Sequence, residues 1–248
     1  LRVVAPELFG SALHYFTGSK EHHVKLRTRA KRRGLKINEY GVFRDDEDTP
    51  IASQTEEELY EALGLSYIPP ELREGFDEIE RAEQGELPAL VSMADIQGDL
   101  HMHTVESDGE ATILEMAQAA QGLGYGYIVL TDHSQVLTVA NGMTPERFAA
   151  HIEAIREIDR QLEGFRVLAG IEVDILRDGT LDMDHDLLAE CDWVVGSVHL
   201  NQNLDREAMT ERLLRALDTG LLSSLGHPTG RILGGRPGYD YDLDEVLA

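Results

Sequence analysis

The chain has 248 residues, 42% of them hydrophobic, which is enough for one large or two smaller cores and too many for a disordered protein. No apolar run approaches the roughly 20 residues needed to span a bilayer, so we expect no membrane partner. The single cysteine, Cys191, excludes an internal disulfide framework and fits a reducing, cytoplasmic compartment.

Residues 1–68 have the pattern of a small α/β domain. Thr55, with Glu58 three residues later, is a capping-box signature at the start of a helix, and Gly34 is a typical helix end. The predicted elements are strands over Leu1–Val4 and Leu35–Phe43, and helices over Lys20–Arg33 and Glu56–Leu63.

The predicted helix at Lys20 carries most of a basic cluster. The net charge of −24 argues against a nucleic-acid partner, but eight of the 22 basic residues lie between Lys20 and Lys36, with Glu21 as the one acid among them. A basic patch within an acidic body is compatible with local phosphate binding, and the alternative is a solvated helix face.

The second half of the chain alternates strand and helix. Pro69-Pro70 marks a break, and the acidic segment 69–95 is predicted to be a linker with one or two short helices. From Ile96, strand-like runs alternate with helices over about 111–123, 145–163 and 205–219, which predicts a parallel sheet or barrel. Thr144 precedes Pro145 as a plausible helix cap, with Arg147 where a capping box would have Glu.

The strand-like runs of this half end in metal-ligand residue types. In a parallel barrel the carboxyl ends of the strands meet at one mouth, so we expect these side chains to converge there. His101 and His103 are two residues apart and face the same way on a strand. The other runs end at His133, Glu172, His199 and His227.

Asp108 adds a seventh ligand candidate, because Gly109 lets the loop turn this carboxylate toward the mouth. Seven candidates exceed the needs of one tetrahedral ion, so two or three ions are the better fit. Mixed imidazole and carboxylate donors suit Zn²⁺, Mn²⁺ or Fe²⁺ more than Mg²⁺ or Ca²⁺.

Other histidines have plainer interpretations. A lone histidine at a strand end is more often structural than a ligand, but a set of five with matching carboxylates is poorly explained in that way. His151 falls in a helix and is expected to be solvated, and His185 lies in an acidic loop that is expected to be a solvated turn. His14, His22 and His23 fit no ligand pattern.

The chemistry that such a site suits is hydrolysis of a phosphate ester, in which an ion lowers the pKa of a coordinated water molecule. Glu172 is the carboxylate that is expected to bridge two ions. Arg231 and Arg236 follow His227 in a glycine-rich stretch and are candidates for contacts to substrate phosphate, the alternative being a surface loop.

The motifs Gly98–His103, Ser107–Gly109, Thr131–Ser134, Gly170–Glu172, Ser197–His199 and Gly226–Pro228 together resemble the PHP (polymerase and histidinol phosphatase) family. This resemblance implies a distorted seven-stranded (β/α) barrel with nine ligands around three ions. Seven of the nine match His101, His103, Asp108, His133, Glu172, His199 and His227, and Glu172, His133 and Asp108 are expected to act in catalysis. The last two ligands, an Asp and a His, have no counterpart, so we expect a barrel truncated at its C-terminus.

The first domain resembles the end of a family X DNA polymerase core, through Tyr15–His22, Gly34–Gly41 and Tyr67–Arg73. A family X core followed by a PHP domain is the architecture of the bacterial PolX family. By this resemblance the domains are 1–68, the linker 69–95 and the PHP domain 96–248. The polymerase aspartates would lie upstream, so we expect a fragment of a longer protein.

The same resemblance assigns nucleotide and DNA contacts. Tyr15, Phe16, Thr17 and Gly18 would line the nucleotide pocket, Arg27 would contact the template side, and His23 replaces the Asn usual at its position. The basic helix would hold DNA phosphates through Lys20, Lys25, Arg27, Arg29 and Arg32.

The predicted function is therefore that of a DNA repair polymerase with 3′–5′ exonuclease activity, bacterial and nucleoid-associated. It would act on gapped or primer-template DNA, use dNTPs in the full-length protein, hold Mn²⁺ or Zn²⁺ in the PHP site and use Mg²⁺ or Mn²⁺ for polymerisation. Two alternatives remain open: a small-molecule phosphatase of the histidinol-phosphate type, and a non-catalytic PHP scaffold or DNA-binding module.

Overall fold

The computed structural model describes residues 2–248, which pack as two units that meet in sequence between Leu90 and Val91. The described part of the first unit contains the helices and strands α1 (Phe9–Phe16), α2 (Lys20–Arg32), β1 (Leu35–Asn38), β2 (Gly41–Arg44), α3 (Glu56–Ala62) and α4 (Glu78–Gln84). The predicted basic helix is confirmed as α2, and Ser19 caps it by accepting a hydrogen bond from His22 N at 3.0 Å.

Two strand predictions in this unit are wrong. Arg2–Val4 form no strand because they pair with no other described segment, and Leu1 lies outside the described residues. The run Leu35–Phe43 is two antiparallel strands, in which Asn38 pairs with Gly41. The Asn38 side chain accepts a hydrogen bond from Tyr40 N at 2.9 Å and closes the turn, as Asn side chains commonly do.

The segment predicted as a linker is, up to Leu90, part of the first unit. Helix α4 lies within it, and Ile79 and Ala82 of this helix are buried in the same core as Leu26, Leu59 and Tyr60. Apolar residues at a spacing of three allow even a short acidic helix to bury one face. Thr55 is the N-cap of α3, as predicted, since its Oγ1 accepts from Glu58 N at 3.2 Å. The reciprocal half of the predicted capping box differs, because Glu58 Oε2 accepts from Gln54 N and not from Thr55 N.

The second unit contains one five-stranded parallel sheet in sequential order, β3-β4-β5-β6-β7. This arrangement is the predicted α/β architecture, and Ile128, Leu130, Val167, Ile171 and Val194 lie in its core. Its elements are β3 (Gly98–Met102), α5 (Ile113–Gly122), β4 (Tyr127–Leu130), α6 (Pro145–Gln161), β5 (Arg166–Asp174), α7 (His185–Ala189), β6 (Trp193–Ser197), α8 (Arg206–Leu217), β7 (Ser224–Leu225) and α9 (Leu243–Leu247).

Each strand of this sheet ends beside the next at the same edge. Met102 at the end of β3 pairs with Leu130 at the end of β4. Just after β4, His133 forms a parallel bridge with Glu172 of β5. Strand β7 is only two residues long, and Gly226 N bonds to Gly196 O just beyond it. A Cβ on Gly226 would lie 2.2 Å from Ser197 Oγ, so glycine is required for this close approach. None of the helices among residues 2–248 has the length and apolar character needed to cross a bilayer.

Candidate metal centre

Six of the seven predicted ligands follow directly from strand ends. His101 lies on β3 and His103 one residue after it, and Glu172 lies within β5. His133, His199 and His227 each come two or three residues after β4, β6 and β7. Because the strands are parallel, their carboxyl ends bring these side chains to one edge of the sheet.

Glu172 lies at the centre of the cluster and is almost fully buried. Its two carboxylate oxygens face different sets of imidazoles. Oε2 lies 3.2 Å from His101 Nε2, 3.4 Å from His103 Nε2 and 3.1 Å from His133 Nδ1. Oε1 lies 3.3 Å from His199 Nε2 and 3.1 Å from His227 Nε2. This division is the geometry that a carboxylate shared between two cations requires.

Asp108 approaches from a loop. Its Oδ1 lies 3.5 Å from His103 Nδ1 and its Oδ2 lies 3.7 Å from His133 Nε2. The structure therefore brings all seven predicted ligands together. The donor atoms of six of them form three groups, each within 4.8 Å: His101, His103 and Glu172; His103, Asp108 and His133; and His133, Glu172 and His199. His227 joins them through Glu172 Oε1.

The donor atoms fit divalent cations. Two pairs of imidazole nitrogens face each other, His101 Nε2 and His103 Nε2 at 3.1 Å and His199 Nε2 and His227 Nε2 at 3.2 Å. Nδ1 of His103 and of His133 is buried, and neither makes a hydrogen bond of suitable angle with a described residue, although His133 Nδ1 lies 3.1 Å from Glu172 Oε2. A buried polar atom without a partner is costly, and a cation among these nitrogens would satisfy them.

The protonation states of the centre favour an anionic Glu172. Burial raises the pKa of Glu172, but the hydrogen bonds from His101, His199, His227 and Ser197 outweigh burial and hold this pKa below its usual range.

The imidazoles differ among themselves. Burial lowers the pKa of His199, but its hydrogen bonds to Asp174 and Glu172 outweigh burial and raise the pKa to about 9. The hydrogen bond to Glu172 raises the pKa of His101, whereas burial lowers that of His133. A cation held by His199 and His101 would compete with the proton for their Nε2 atoms.

Two buried residues orient the ligands from behind, and the sequence reading missed both. Asp174 Oδ2 lies 3.0 Å from His199 Nδ1, which turns Nε2 of the same ring toward Glu172. Ser197 Oγ donates to Glu172 Oε1 at 2.5 Å. Carboxylate and hydroxyl partners of this kind fix the tautomer and orientation of metal ligands. Asp174 is two residues after Glu172, and Ser197 is two residues before His199. Residues two apart on a strand face the same side, so this spacing could have predicted that both side chains lie near the candidate ligands.

His151 was expected to be solvated, and this prediction is wrong. Its side chain is 2% exposed, and its Nε2 lies 2.9 Å from Oδ2 of Asp132, which is itself fully buried. The same carboxylate accepts hydrogen bonds from Thr104 N, Thr104 Oγ1 and Ser107 Oγ at 2.8, 2.9 and 2.6 Å. Burial raises the pKa of Asp132, but the adjacent His151 and the hydrogen bond from Ser107 lower it to about 2, so the group is anionic. His185 is exposed, as expected, but it is the first residue of α7 and not part of a turn.

The two predicted phosphate contacts differ in what they touch. Arg236 donates to Gly230 O from Nε at 3.2 Å and from Nη2 at 2.9 Å, so its guanidinium holds a turn of the loop after His227. Arg231 is exposed and makes no ion pair within residues 2–248.

The predicted nucleotide-pocket residues of the first unit also differ, some being exposed and others held by contacts within the unit. The Tyr15 and Phe16 rings are exposed at the end of α1. Thr17 is held from inside, because its Oγ1 accepts from Arg73 Nη1 at 2.7 Å. Arg73 is fully buried and also pairs with Glu56 Oε1 at 2.6 Å. Gly18 has φ +111°, and a Cβ there would lie 2.9 Å from Arg73 Cβ.

The predicted DNA-binding residues of α2 are not equivalent. Lys20, Arg27 and Arg32 are exposed and make no ion pair within residues 2–248. The Arg29 guanidinium is engaged in contacts within the protein, since it donates to Leu63 O at 2.9 Å and to Glu83 at 2.9 Å. Lys25 likewise donates to Phe76 O.

The sheet and the donor cluster together define a class of α/β domain, one that gathers histidine and carboxylate ligands at the carboxyl ends of parallel strands. The PHP domain model matches residues 99–235. The chain therefore belongs to the PHP domain family. In the first unit, the DNA polymerase beta thumb model matches residues 12–74.

Several similar proteins match either nearly the whole chain or about 60% of it. The DNA polymerase/3′-5′ exonuclease PolX of Bacillus subtilis is 44% identical over 246 residues, which are 99% of this chain and 43% of that protein. A probable phosphatase of Photobacterium profundum is 33% identical over 153 residues, 60% of this chain and 57% of that protein. A probable phosphatase of Acetivibrio thermocellus is 29% identical over 153 residues, 60% and 58% of the two chains. The chain thus spans less than two thirds of each relative.

Proposed function

We propose that the second unit is a metal-dependent phosphoesterase that removes nucleotides from the 3′ end of DNA. The observation that carries this proposal is the division of imidazoles between the two oxygens of Glu172. A single buried carboxylate that faces five imidazoles is suited to a cluster of cations, and clustered cations are typical of enzymes that hydrolyse phosphate esters.

The residues that would hold the ions are those of the three donor groups, with His227 on the Oε1 side of Glu172. Two or three ions fit these groups, and imidazole with carboxylate donors favours Mn²⁺ or Zn²⁺. When bound, the ions supply Lewis-acid stabilisation of charge on phosphoryl oxygens and activate water as a nucleophile.

The protein's own residues hold this centre in a fixed state. Glu172 remains anionic and is oriented by Ser197, so that its charge lies between the two sets of imidazoles. Asp108 and His133 stand on the other side of the cluster and complete the catalytic residues that we propose. Asp108 is exposed, as a group that meets substrate must be.

DNA as the substrate is supported by the first unit. It matches a polymerase thumb model, and Lys20, Arg27 and Arg32 present exposed charge on α2. Exposed basic side chains bind the DNA backbone mainly through phosphates. Arg231, exposed in the loop after His227, is the better candidate for a contact to substrate phosphate, since Arg236 is engaged with Gly230.

The setting of this activity follows from the PolX relative. We propose that the chain acts with a polymerase core on gapped or primer-template DNA. That core would use dNTPs with Mg²⁺ or Mn²⁺, and Tyr15, Phe16, Thr17 and Gly18 would form one side of its nucleotide pocket. A nucleoid-associated, cytoplasmic location belongs to the same proposal.

A second candidate function is a phosphatase that acts on small molecules such as histidinol phosphate. It is favoured by the probable phosphatases that match 60% of this chain. That match covers too little of the chain to account for the basic helix of the first unit. A non-catalytic scaffold is a third candidate, which the convergence of all seven ligands disfavours.

The deciding experiment incubates the protein that contains these 248 residues with Mn²⁺ and a 3′-labelled primer-template. We expect the parent to shorten the labelled strand. His101→Ala and Glu172→Gln should lower the rate about 100-fold or more, because each removes a donor to the ions. His185→Ala is the matched control, since His185 is exposed and lies outside the donor groups.

No shortening by the parent, or equal shortening by the parent and the two variants, would exclude the exonuclease. Turnover of histidinol phosphate without attack on DNA would support the phosphatase. DNA binding without either reaction would support the scaffold.

A further inference from the structure

Asp108 is the one ligand of the seven whose position does not follow from a strand end. The sheet orders the other six, whereas Asp108 lies on the loop between β3 and α5, and its side chain is about half exposed. The loop folds tightly, with Ser107 N and Gly109 N both bonded to Thr104 O. A Cβ on Gly109 would lie 2.2 Å from His103 O, so the chain must pass very close to itself at this point. Within the loop, Ser107 Oγ donates to Asp108 Oδ1 at 3.3 Å, and contacts from outside the loop hold the segment in which Ser107 lies.

One of these contacts is the buried carboxylate of Asp132. It accepts hydrogen bonds from Thr104 and Ser107, the two residues that bound the segment before Asp108. His151 Nε2 lies 2.9 Å from Oδ2 of this carboxylate, the oxygen that also accepts from Thr104 Oγ1, and His151 is buried with it. The loop is thus tied through Asp132 to a side chain of helix α6.

The second contact comes from the same helix, one turn earlier. Arg147 Nη2 donates to Glu106 O at 2.6 Å, and Arg147 Nη1 donates to Asn141 O at 3.1 Å. Residues four apart lie on one face of a helix, so Arg147 and His151 reach the loop from the same side. The position of helix α6 is fixed, because its residues Phe148, Ile152 and Ile155 are buried in the core.

We propose that Arg147 and His151 are positioning residues that hold Asp108 in place for the ion bound by His103, Asp108 and His133. This inference rests on the proposed metal centre and deepens it. The His199 side of the centre has its own support in Asp174 and Ser197, so α6 would govern one ion site and leave the other unaffected.

The test titrates metal-free protein with Mn²⁺ or Zn²⁺ by calorimetry and compares Arg147→Leu and His151→Leu with the parent. We expect the affinity of the site formed by His103, Asp108 and His133 to fall about 10- to 100-fold, which is the usual effect of losing a residue that orients a ligand. The affinity of the site on the His199 side should not change. His151→Gln keeps an N–H near Asp132 and should restore most of the binding. His185→Leu, at an exposed histidine, is the control.

Hydrogen exchange of the metal-free proteins gives a readout that does not depend on ions. Peptides that cover 104–111 should exchange at least about 10-fold faster in the two leucine variants and at the parental rate in His185→Leu. Trp193 fluorescence reports whether each variant is folded, and Arg147→Leu, at a partly exposed side chain, is expected to fold even if His151→Leu does not.

Equal weakening of all ion sites, or ion binding and loop exchange unchanged in both leucine variants, would overturn this assignment and leave the metal centre standing. Failure of the parent to bind any ion would overturn the centre and the assignment together.

Discussion

Glu172, Asp132 and Asp174 are buried carboxylates, and each lies against an imidazole or a hydroxyl group. A buried charge is tolerated only when it is paired and hydrogen-bonded, so these contacts are obligatory. Glu172 could be predicted because its residue type and strand-end position indicate a ligand. Asp174 had a signal in its spacing of two residues from Glu172. Asp132 could not be predicted, because its partners lie 19 to 28 residues away and are set by packing.

Histidines of the first unit give the protein a dependence on pH that is separate from the metal centre. Burial, aided by the nearby His23, Arg73 and His22, lowers the pKa of His14 to about 2. The unfolded chain therefore binds a proton below pH 6.5 that the folded chain does not. The contribution of neutral His14 to the stability of this unit is fully present above pH 6.5, and about 1.4 kcal/mol of it is lost for each pH unit below that value.

The variant His14→Leu should lose this part of the acid sensitivity. Between about pH 7 and about pH 5, its free energy of unfolding should fall by about 2 kcal/mol less than that of the parent. Pulsed hydrogen exchange of α1 peptides across a urea series measures the difference. Equal pH dependence in parent and variant would contradict the buried, neutral state of His14, and His185→Leu should behave as the parent.

At the scale of elements, α2 combines two kinds of basic residue that the sequence does not distinguish. Lys20 and Arg27, seven residues apart, share one exposed face, whereas Arg29 lies against Leu63 and Glu83. The periodicity of the helix predicts which residues share a face, but only the packed neighbours decide which face is covered.

This difference gives a prediction for DNA binding. Lys20→Gln and Arg27→Gln should each weaken binding of a primer-template and reduce the slope of log K against log salt by about 0.9, the value for one lost phosphate contact on duplex DNA. Fluorescence anisotropy between about 50 and 200 mM salt, a range set by the usual strength of such effects, measures the slope.

Arg29→Gln serves as the contrasting variant. It should leave the slope unchanged and instead lower the free energy of unfolding by about 1–3 kcal/mol, because the carbonyl of the buried Leu63 loses its donor. A reduced slope for Arg29→Gln, or an unchanged slope for the other two variants, would show that the contacts are distributed differently.

At the scale of the whole chain, the two units have separate cores, and the chain has one tryptophan, Trp193, which lies on β6 of the second unit. Trp193 fluorescence therefore follows the unfolding of the second unit alone. The ligands that we propose for the ions also belong to this unit, so ion binding should stabilise one unit and not the other.

Removal of metal should reveal this difference. An ion present at about 100 times its dissociation constant stabilises the folded state by about 2.7 kcal/mol, so EDTA should lower the temperature of the Trp193 transition. Exchange of α1 peptides should not change, and Glu172→Gln should abolish the effect of EDTA. A shift in both units, or the same shift in Glu172→Gln, would contradict a metal centre confined to the second unit.

The sequence by itself determined the α/β class, the basic helix and the six candidate ligands that stand at strand ends. These follow from strand–helix alternation and from residue types at strand ends, which are local properties of the chain. Only the tertiary structure decided three other features: the division of Leu35–Phe43 into two strands, the packing of α4 in the first core and the burial of His151. Each depends on contacts between residues distant in sequence, and such contacts also separate Arg29 from Arg27 and join Arg147 and His151 to the loop of Asp108.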